Sequence, residues 1–338
     1  MKTDIAERSA ALIEKGLRNF WYPVTPSYML RDTPIGLTRL SEEIVLWRDQ
    51  DGNVHAIEDR CPHRGARLSL GWNLGDRVAC WYHGVEVDSA GAVQDVPAVE
   101  SCALKGKSCL KSYLAVEANG AIFLWFGDGL GTPVAPFRLP EEMTDEAFSG
   151  FLCMQNWKCN YRYAIDNVMD LMHGRYLHAS SHSMAEGDKR AEMVVMPTDT
   201  GLIFEKVDQR GVNFDWVEFS ATSAIWLRLA VPYKKRYGGG EFIIIGFVTP
   251  VDEGHCQAYF WRIKKASGLE RHIWRFLYRN RLEGLHWDVL EQDRIVLETL
   301  TANARAKENL YQHDAGLVRV RRIMEKIAYR QATEGVEA

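Results

Sequence analysis

The chain has 338 residues, a formal net charge of -4, 46% hydrophobic and 25% charged residues. So modest a charge argues against a nucleic-acid surface, and no apolar run reaches membrane-spanning length, so a helical membrane protein is excluded. The length suggests two domains as a prior. The N-terminal MKTDIAERSAALIEKG carries acids in a helical pattern, not the apolar stretch of a secretion signal, so the expected location is cytoplasmic. Seven cysteines is an odd count. In a reducing compartment those not bound to metal are expected as buried free thiols.

Between residues 20 and 126 lie short β-type runs: Glu43 to Arg48, Val54 to Glu58, Val78 to Tyr82, Val85 to Val87 and Ala121 to Phe126. Turn residues separate them, as in Asp51-Gly52-Asn53 and Asp88-Ser89-Ala90-Gly91. This is the pattern of a small antiparallel β domain. Inside it, Cys61-Pro62-His63 and Cys80-Trp81-Tyr82-His83 spell C-x-H-x16-C-x2-H. Zinc fingers usually group Cys with Cys and His with His, whereas each loop here offers one sulfur and one nitrogen. That suits a [2Fe–2S] centre in which one iron takes both thiolates and the other both imidazoles. A structural zinc knuckle is the alternative. Pro62, Gly65 and Gly84 let the loops turn tightly, and Trp81 and Tyr82 are expected to cover the centre against water. Cys61, His63, Cys80 and His83 thus resemble the ligands of a Rieske cluster.

The stretch from Gly127 to Gly150, rich in Gly, Pro and acids, marks a boundary. The expected domains are 18–130 and 131–338. A helical segment follows from Tyr161 to His178, then alternating strands over residues 191–262, then helices from Leu269 to Gln331. The fold class is α+β, an N-terminal antiparallel β domain joined to a domain with an antiparallel sheet flanked by helices. No G-x-G-x-x-G or P-loop is present, so no nucleotide or flavin site is expected. Lys234-Lys235-Arg236 and Gly238-Gly239-Gly240 read as an exposed hairpin and its tip.

The helix around Ile165 to Met172 is apolar nearly all round, yet one stripe carries Asp166, Asn167, Asp170 and His173. Such groups are costly to bury unless paired or metal-bound. The stripe is either a buried polar network or part of a mononuclear iron site, in which two histidines and a carboxylate leave positions open for O2 and substrate. On a straight helix His173 and His178 lie about 140° apart, whereas His178 and His182 face the same way. The third ligand must come from elsewhere. On the late helix Leu282, Val289, Val296 and Leu300 mark an apolar stripe, and Asp293 falls within about 60° of two of them. Asp288, Glu291 and Glu298 point elsewhere. A buried salt bridge is the alternative role for Asp293.

With both motifs, the chain resembles the Rieske non-haem iron oxygenases over nearly its whole length. It is most similar to the shorter members that work without a small subunit, the vanillate O-demethylase and dicamba monooxygenase group. The resemblance selects His173 and His178 over His182, because Asn167 and Asp170 match N-x2-D-x2-H-x4-H, with the helix distorted or ending near Gly174. It supplies a matching carboxylate in a context like Glu291-Gln292-Asp293. It also implies that Asp170 bridges a cluster histidine of one subunit to an iron-binding histidine of the next, in a homotrimer, and that Asn167 sits near the iron.

The function so implied is that of a terminal oxygenase component. It holds one [2Fe–2S] cluster and one Fe(II) per subunit and takes electrons from NAD(P)H through a separate reductase or ferredoxin. It uses O2 to hydroxylate or demethylate a small aromatic substrate. Ring cis-dihydroxylation is the alternative within the family, and a Rieske electron carrier without oxygenase activity is the alternative from another class. Arg64 and Arg67 are solvated surface cations or contacts for the redox partner, Arg228 reads first as an exposed strand cation and second as a ligand for a substrate carboxylate, and His286 is a candidate pocket residue.

Overall fold

The structure is a computed structural model that describes residues 2–180, 184, 186–233, 240–301 and 303–337. It divides into two compact units, one of Trp21–Gly127 and one of Met1–Phe20 with Asp128–Ala338. The first seventeen residues, which the expected boundaries leave unassigned, therefore belong with the larger unit.

The smaller unit is built from β1 (Phe20–Pro26), β2 (Ile35–Arg39), β3 (Glu42–Arg48), β4 (Val54–Glu58), β5 (Trp72–Asn73), β6 (Arg77–Ala79), β7 (Glu86–Asp88), β8 (Val93–Asp95), β9 (Ala115–Ala118) and β10 (Ala121–Phe126). They form three small sheets, ordered β1-β10-β9, β2-β3-β4 and β5-β6-β7-β8. Its core packs Val45, Trp47, Ile57, Val78, Val87 and Val93 around the two thiol-bearing residues Cys61 and Cys80. Strand β6 ends at Ala79, so Cys80 to Tyr82 lie in a turn rather than in a strand.

The larger unit carries one seven-stranded antiparallel sheet. Its strands are β11 (Phe148–Trp157), β12 (Met193–Pro197), β13 (Gly201–Lys206), β14 (Trp216–Ala221), β15 (Ile225–Pro232), β16 (Glu241–Pro250) and β17 (Cys256–Lys265). They are ordered β11-β17-β16-β15-β14-β13-β12. The sequence marks Gly127 to Gly150 as a boundary and does not single out β11, which closes one edge of the sheet against β17. Eight consecutive residues of β17 are buried, so both faces of the strand are covered. The helices are α1 (Lys2–Lys15), α2 (Glu141–Thr144), α3 (Tyr161–Met169), α4 (His173–Leu177), α5 (Gly268–Leu277), α6 (Glu283–Leu297) and α7 (Ala315–Glu337). Helix α3 packs on β14, β16 and β17, α6 reaches β11 and α3, and α7 packs on α1, β12 and β13. The observed architecture is the α+β arrangement expected, an N-terminal β unit and an antiparallel sheet with helices. Among the described residues no helix is long and apolar enough to cross a membrane.

Asp166 resolves one ambiguity of the sequence. It is 8% exposed and paired with Arg321 at 2.8 Å and with Arg305, so it anchors α3 to the C-terminal segment and is not among the residues that converge as candidate metal ligands. Removing one partner of a buried ion pair leaves the other charge uncompensated. We expect Asp166→Asn to destabilise this unit by about 3 kcal/mol. Urea unfolding followed by tryptophan fluorescence would show this as a lower midpoint.

Candidate metal centres and the pocket between sheet and helices

The two cysteine loops have the same backbone scaffold. Cys61 N–H donates to the Ala66 carbonyl at 2.7 Å, and Gly65 N–H to the Cys61 carbonyl at 2.8 Å. Cys80 N–H donates to the Val85 carbonyl at 2.8 Å, and Gly84 N–H to the Cys80 carbonyl at 2.9 Å. Each loop closes through a glycine with positive φ, 79° at Gly65 and 72° at Gly84, where a Cβ would be strained. Asp59, just upstream, is buried and fixes the first loop by accepting from the Ser69 N–H at 2.8 Å and the Ser69 hydroxyl at 2.6 Å.

This scaffold buries both cysteines and leaves His63 and His83 exposed, their ring centroids 4.7 Å apart. Burial pushes the Cys61 thiol up to about 11. A thiolate there needs a metal beside it to offset that cost. Two sulfurs on the core side and two imidazoles on the solvent side form a donor set that fits a mixed-ligand [2Fe–2S] cluster. Trp81 and Tyr82 are 65% and 59% exposed. They do not seal the centre within this chain, contrary to the expected cover, although the Tyr82 ring lies tilted against His83 with centroids 3.9 Å apart. Arg67 is engaged by Glu43 and Asp59, while Arg64 lies exposed with its guanidinium 5.8 Å from the Tyr82 ring centroid.

In the larger unit the Tyr161–Met169 helix stops at Asp170, whose backbone is extended (φ -85°, ψ 104°), before α4 begins at His173. The break comes three residues before His173 rather than near Gly174. His178 lies at the C-terminal cap of α4, at φ -101° and ψ 24°. The pair thus spans one short helix, His173 opening it and His178 capping it, and its rings approach to 5.0 Å between centroids. His182 lies outside the described residues.

Asp293 reaches the same point from α6. Its Oδ1 is 3.1 Å from His178 Nε2 and 3.6 Å from His173 Nε2. One donor atom from each of the three residues lies within 4.8 Å of the others. Both His178 Nε2 and Asp293 Oδ1 are buried without a properly aligned hydrogen bond. Unsatisfied lone pairs that converge in this way fit a cation. The other ring nitrogens are already committed. His178 Nδ1 pairs with Gln292 Oε1 at 2.8 Å, and His173 Nδ1 with the Asp170 carbonyl at 2.5 Å. A donor N–H at each Nδ1 leaves both Nε2 lone pairs free to bind a metal. Burial lowers the His178 imidazole pKa, but Asp293 and then Gln292 outweigh it, and the net shift is upward. A proton and a metal thus compete for the same nitrogen.

The inward face of α6 is His286, Leu290, Asp293 and Leu297, all buried, whereas Val296 and Leu300 are each 41% exposed. The stripe is offset from the one the apolar residues suggest, because two of its four members are polar. Asp170 has its side chain 35% exposed, with Oδ1 accepting from the Met172 N–H at 2.8 Å and Oδ2 4.0 Å from His173 Nδ1. Asn167 lines the adjoining cavity. Gln292 had only an indirect signal in the sequence, its place beside Asp293.

The cavity is narrow, with about 60 Å³ of room for the centres of water-sized molecules, and it opens to solvent. Leu229 and Val231 of β15, Phe242 and Ile244 of β16, and Phe260 and Arg262 of β17 form its floor; α3, the α4 segment with its cap, α6 and the loop residues Met184 and Phe214 supply the rest. His286 lines it, stacked on Phe242 at 4.7 Å. Arg228 does not line it. That residue is held by Glu142 at 2.8 Å and by Glu218, so it is neither a free strand cation nor a ligand for a substrate carboxylate.

Comparison with known proteins agrees with both halves. The family model described as Rieske [2Fe-2S] domain matches residues 20–114, and that of the vanillate O-demethylase oxygenase C-terminal domain matches residues 157–330. The vanillate O-demethylase oxygenase subunit of Pseudomonas sp. (strain HR199 / DSM 7063) is 30% identical, covering 92% of this chain and 94% of its own. The crystal structure of dicamba monooxygenase bound to dicamba superimposes with a TM-score of 0.75 at 22% identity, over 94% of this chain and 98% of that one. The oxygenase in a reduced oxygenase–ferredoxin complex of carbazole 1,9a-dioxygenase does so with a TM-score of 0.71 at 19% identity, over 99% and 94%. The chain belongs to the Rieske-type oxygenases, as a terminal oxygenase component with a vanillate O-demethylase-type C-terminal domain.

Proposed function

We propose that this chain binds one [2Fe–2S] cluster through Cys61, His63, Cys80 and His83 and one Fe(II) through His173, His178 and Asp293, and that it hydroxylates or O-demethylates a small aromatic substrate. The observation that carries the reading is the convergence of three donor atoms within 4.8 Å at the wall of a mostly apolar cavity. When bound, the cluster supplies single electrons and the iron supplies oxygen activation. The protein residues orient and exclude. The Asp170 carbonyl and the Gln292 amide oxygen hold the two imidazoles with Nε2 inward. The apolar floor keeps bulk water from the reacting carbon. Electrons come from NAD(P)H through a separate reductase or ferredoxin.

Assembly as a homotrimer belongs to the same proposal. The exposed His63, His83, Trp81 and Tyr82 support a cluster face that a neighbouring subunit covers. The half-exposed Asp170 carboxylate, next to His173, is placed to accept an N–H from a cluster histidine of that neighbour. Asn167 would steady the ligands from the cavity wall.

A panel of methoxylated aromatics tests the reaction, using the holoenzyme with a reductase and NADH. One phenol and one formaldehyde per O2 and NADH consumed is the expected balance. A cis-diol product, or electron transfer without oxygen uptake, would overturn it. Gln292→Leu gives a finer test, because it removes only the acceptor behind His178. Fe(II) affinity measured by chelator competition should fall about 10- to 100-fold, with the cluster unchanged.

A further inference from the structure

Arg262 stands out within the cavity. It is 3% exposed and is the charged member of an otherwise apolar floor. The sheet register sets it opposite Ile244, and Ile244 opposite Leu229. Its Nη2 donates to the His286 carbonyl at 3.1 Å, while Nε and Nη1 are buried without an acceptor. Among the described residues no carboxylate pairs with it. Several half-buried guanidiniums of this unit meet acids: Arg228 meets Glu142 and Glu218, and Arg305 and Arg321 meet Asp166. A desolvated guanidinium without a counter-charge is strongly unfavourable. A sheet that serves packing alone would carry an apolar residue there.

We infer that Arg262 binds an anionic group of the substrate, a carboxylate or a sulfonate on the aromatic ring. This rests on the proposed oxygenase site and deepens it. The single carbonyl contact to His286 fixes the guanidinium from one side and leaves donors for oxyanion oxygens. The apolar floor then takes the ring, and the group to be oxidised extends toward His173, His178 and Asp293, which line the same cavity. Arg262 is in this account a binding and specificity residue.

The test compares binding of 4-methoxybenzoate, 4-methoxybenzenesulfonate and methyl 4-methoxybenzoate to the holoenzyme by calorimetry. Arg262→Lys and Arg262→Gln are measured beside the wild type. Wild type should bind at least one of the anions about 10- to 100-fold more tightly than the ester. Arg262→Lys should keep part of that preference and Arg262→Gln should abolish it. The anion should raise the thermal midpoint of wild type and not that of Arg262→Gln. Equal binding of acids and ester by wild type would overturn the inference, even if Arg262→Gln fails to fold. So would a preference that survives in folded Arg262→Gln. A wild type that loads iron and demethylates the neutral ester as well as the acids would fail this inference and leave the oxygenase reading standing. Anion preference in a protein that cannot hold the mononuclear iron would do the reverse.

Discussion

Replacing Asp293 by alanine is expected to remove about one iron per chain and to lower turnover by at least about a thousandfold, the effect of losing several kcal/mol of metal-derived stabilisation. The cluster spectrum should not change, because Asp293 lies in the larger unit and the four proposed cluster ligands lie in the smaller one. The geometry makes the expectation specific. Asp293 Oδ1 faces both imidazole Nε2 atoms and has no other role in the hydrogen bonding of the described residues. Leu290→Ala is the control. It shares the buried face of α6 and should cost about 2–5 kcal/mol of stability through an ordinary core cavity, while iron content stays unchanged. If Asp293→Ala retains the mononuclear iron, the carboxylate is a structural acid and the ligand set is wrong.

Replacing Cys80 by serine is expected to abolish the Rieske EPR signal, remove about two irons per chain and stop reductase-driven turnover altogether. Cys61 and Cys80 lie in the core of the smaller unit, so a shared cluster would also tie two loops together across that core. Metal binding free energy then becomes folding free energy. The variant should therefore lower the unfolding midpoint of the smaller unit as well. Fe(II) binding to the larger unit, followed by chelator competition, should persist. A variant that keeps a Rieske signal would contradict the assignment of this thiol.

The two metal motifs differ in how openly the sequence displays them. The cysteine loops are local: four proposed ligands within twenty-three residues, with glycines where the backbone needs positive φ. Their shared hydrogen-bond scaffold follows from that spacing. The second site is assembled from α3, α4 and α6, and helix periodicity misleads at both ends of it. The sequence reads as one helical segment from Tyr161 to His178, but the chain breaks at Asp170 and restarts as a short helix that His173 opens and His178 caps, with the two rings 5.0 Å apart between centroids. On α6 the inward face includes His286 and Asp293, and an apolar stripe drawn without them is displaced. Functional polar residues interrupt the pattern that would reveal their burial.

Long-range pairing accounts for the rest. Asp166 shares the helical stripe with Asn167 and Asp170, and spacing alone does not tell a metal group from an ion-pair anchor. Its partners Arg305 and Arg321 lie about 140 residues or more downstream. Arg228 and Arg262 both sit on sheet strands, and only tertiary placement shows that acids occupy the first and that a cavity adjoins the second. Trp81 and Tyr82 have the residue types for a water shield but stand exposed in the single chain.

The central claim is that one chain holds two distinct iron centres. Iron and acid-labile sulfide content of anaerobically purified protein, with an EPR spectrum after reduction, tests it most directly. About three irons and two sulfides per chain with a Rieske signal are expected. Zinc without sulfide would contradict it, as would two irons and two sulfides that do not rise to three irons on addition of Fe(II).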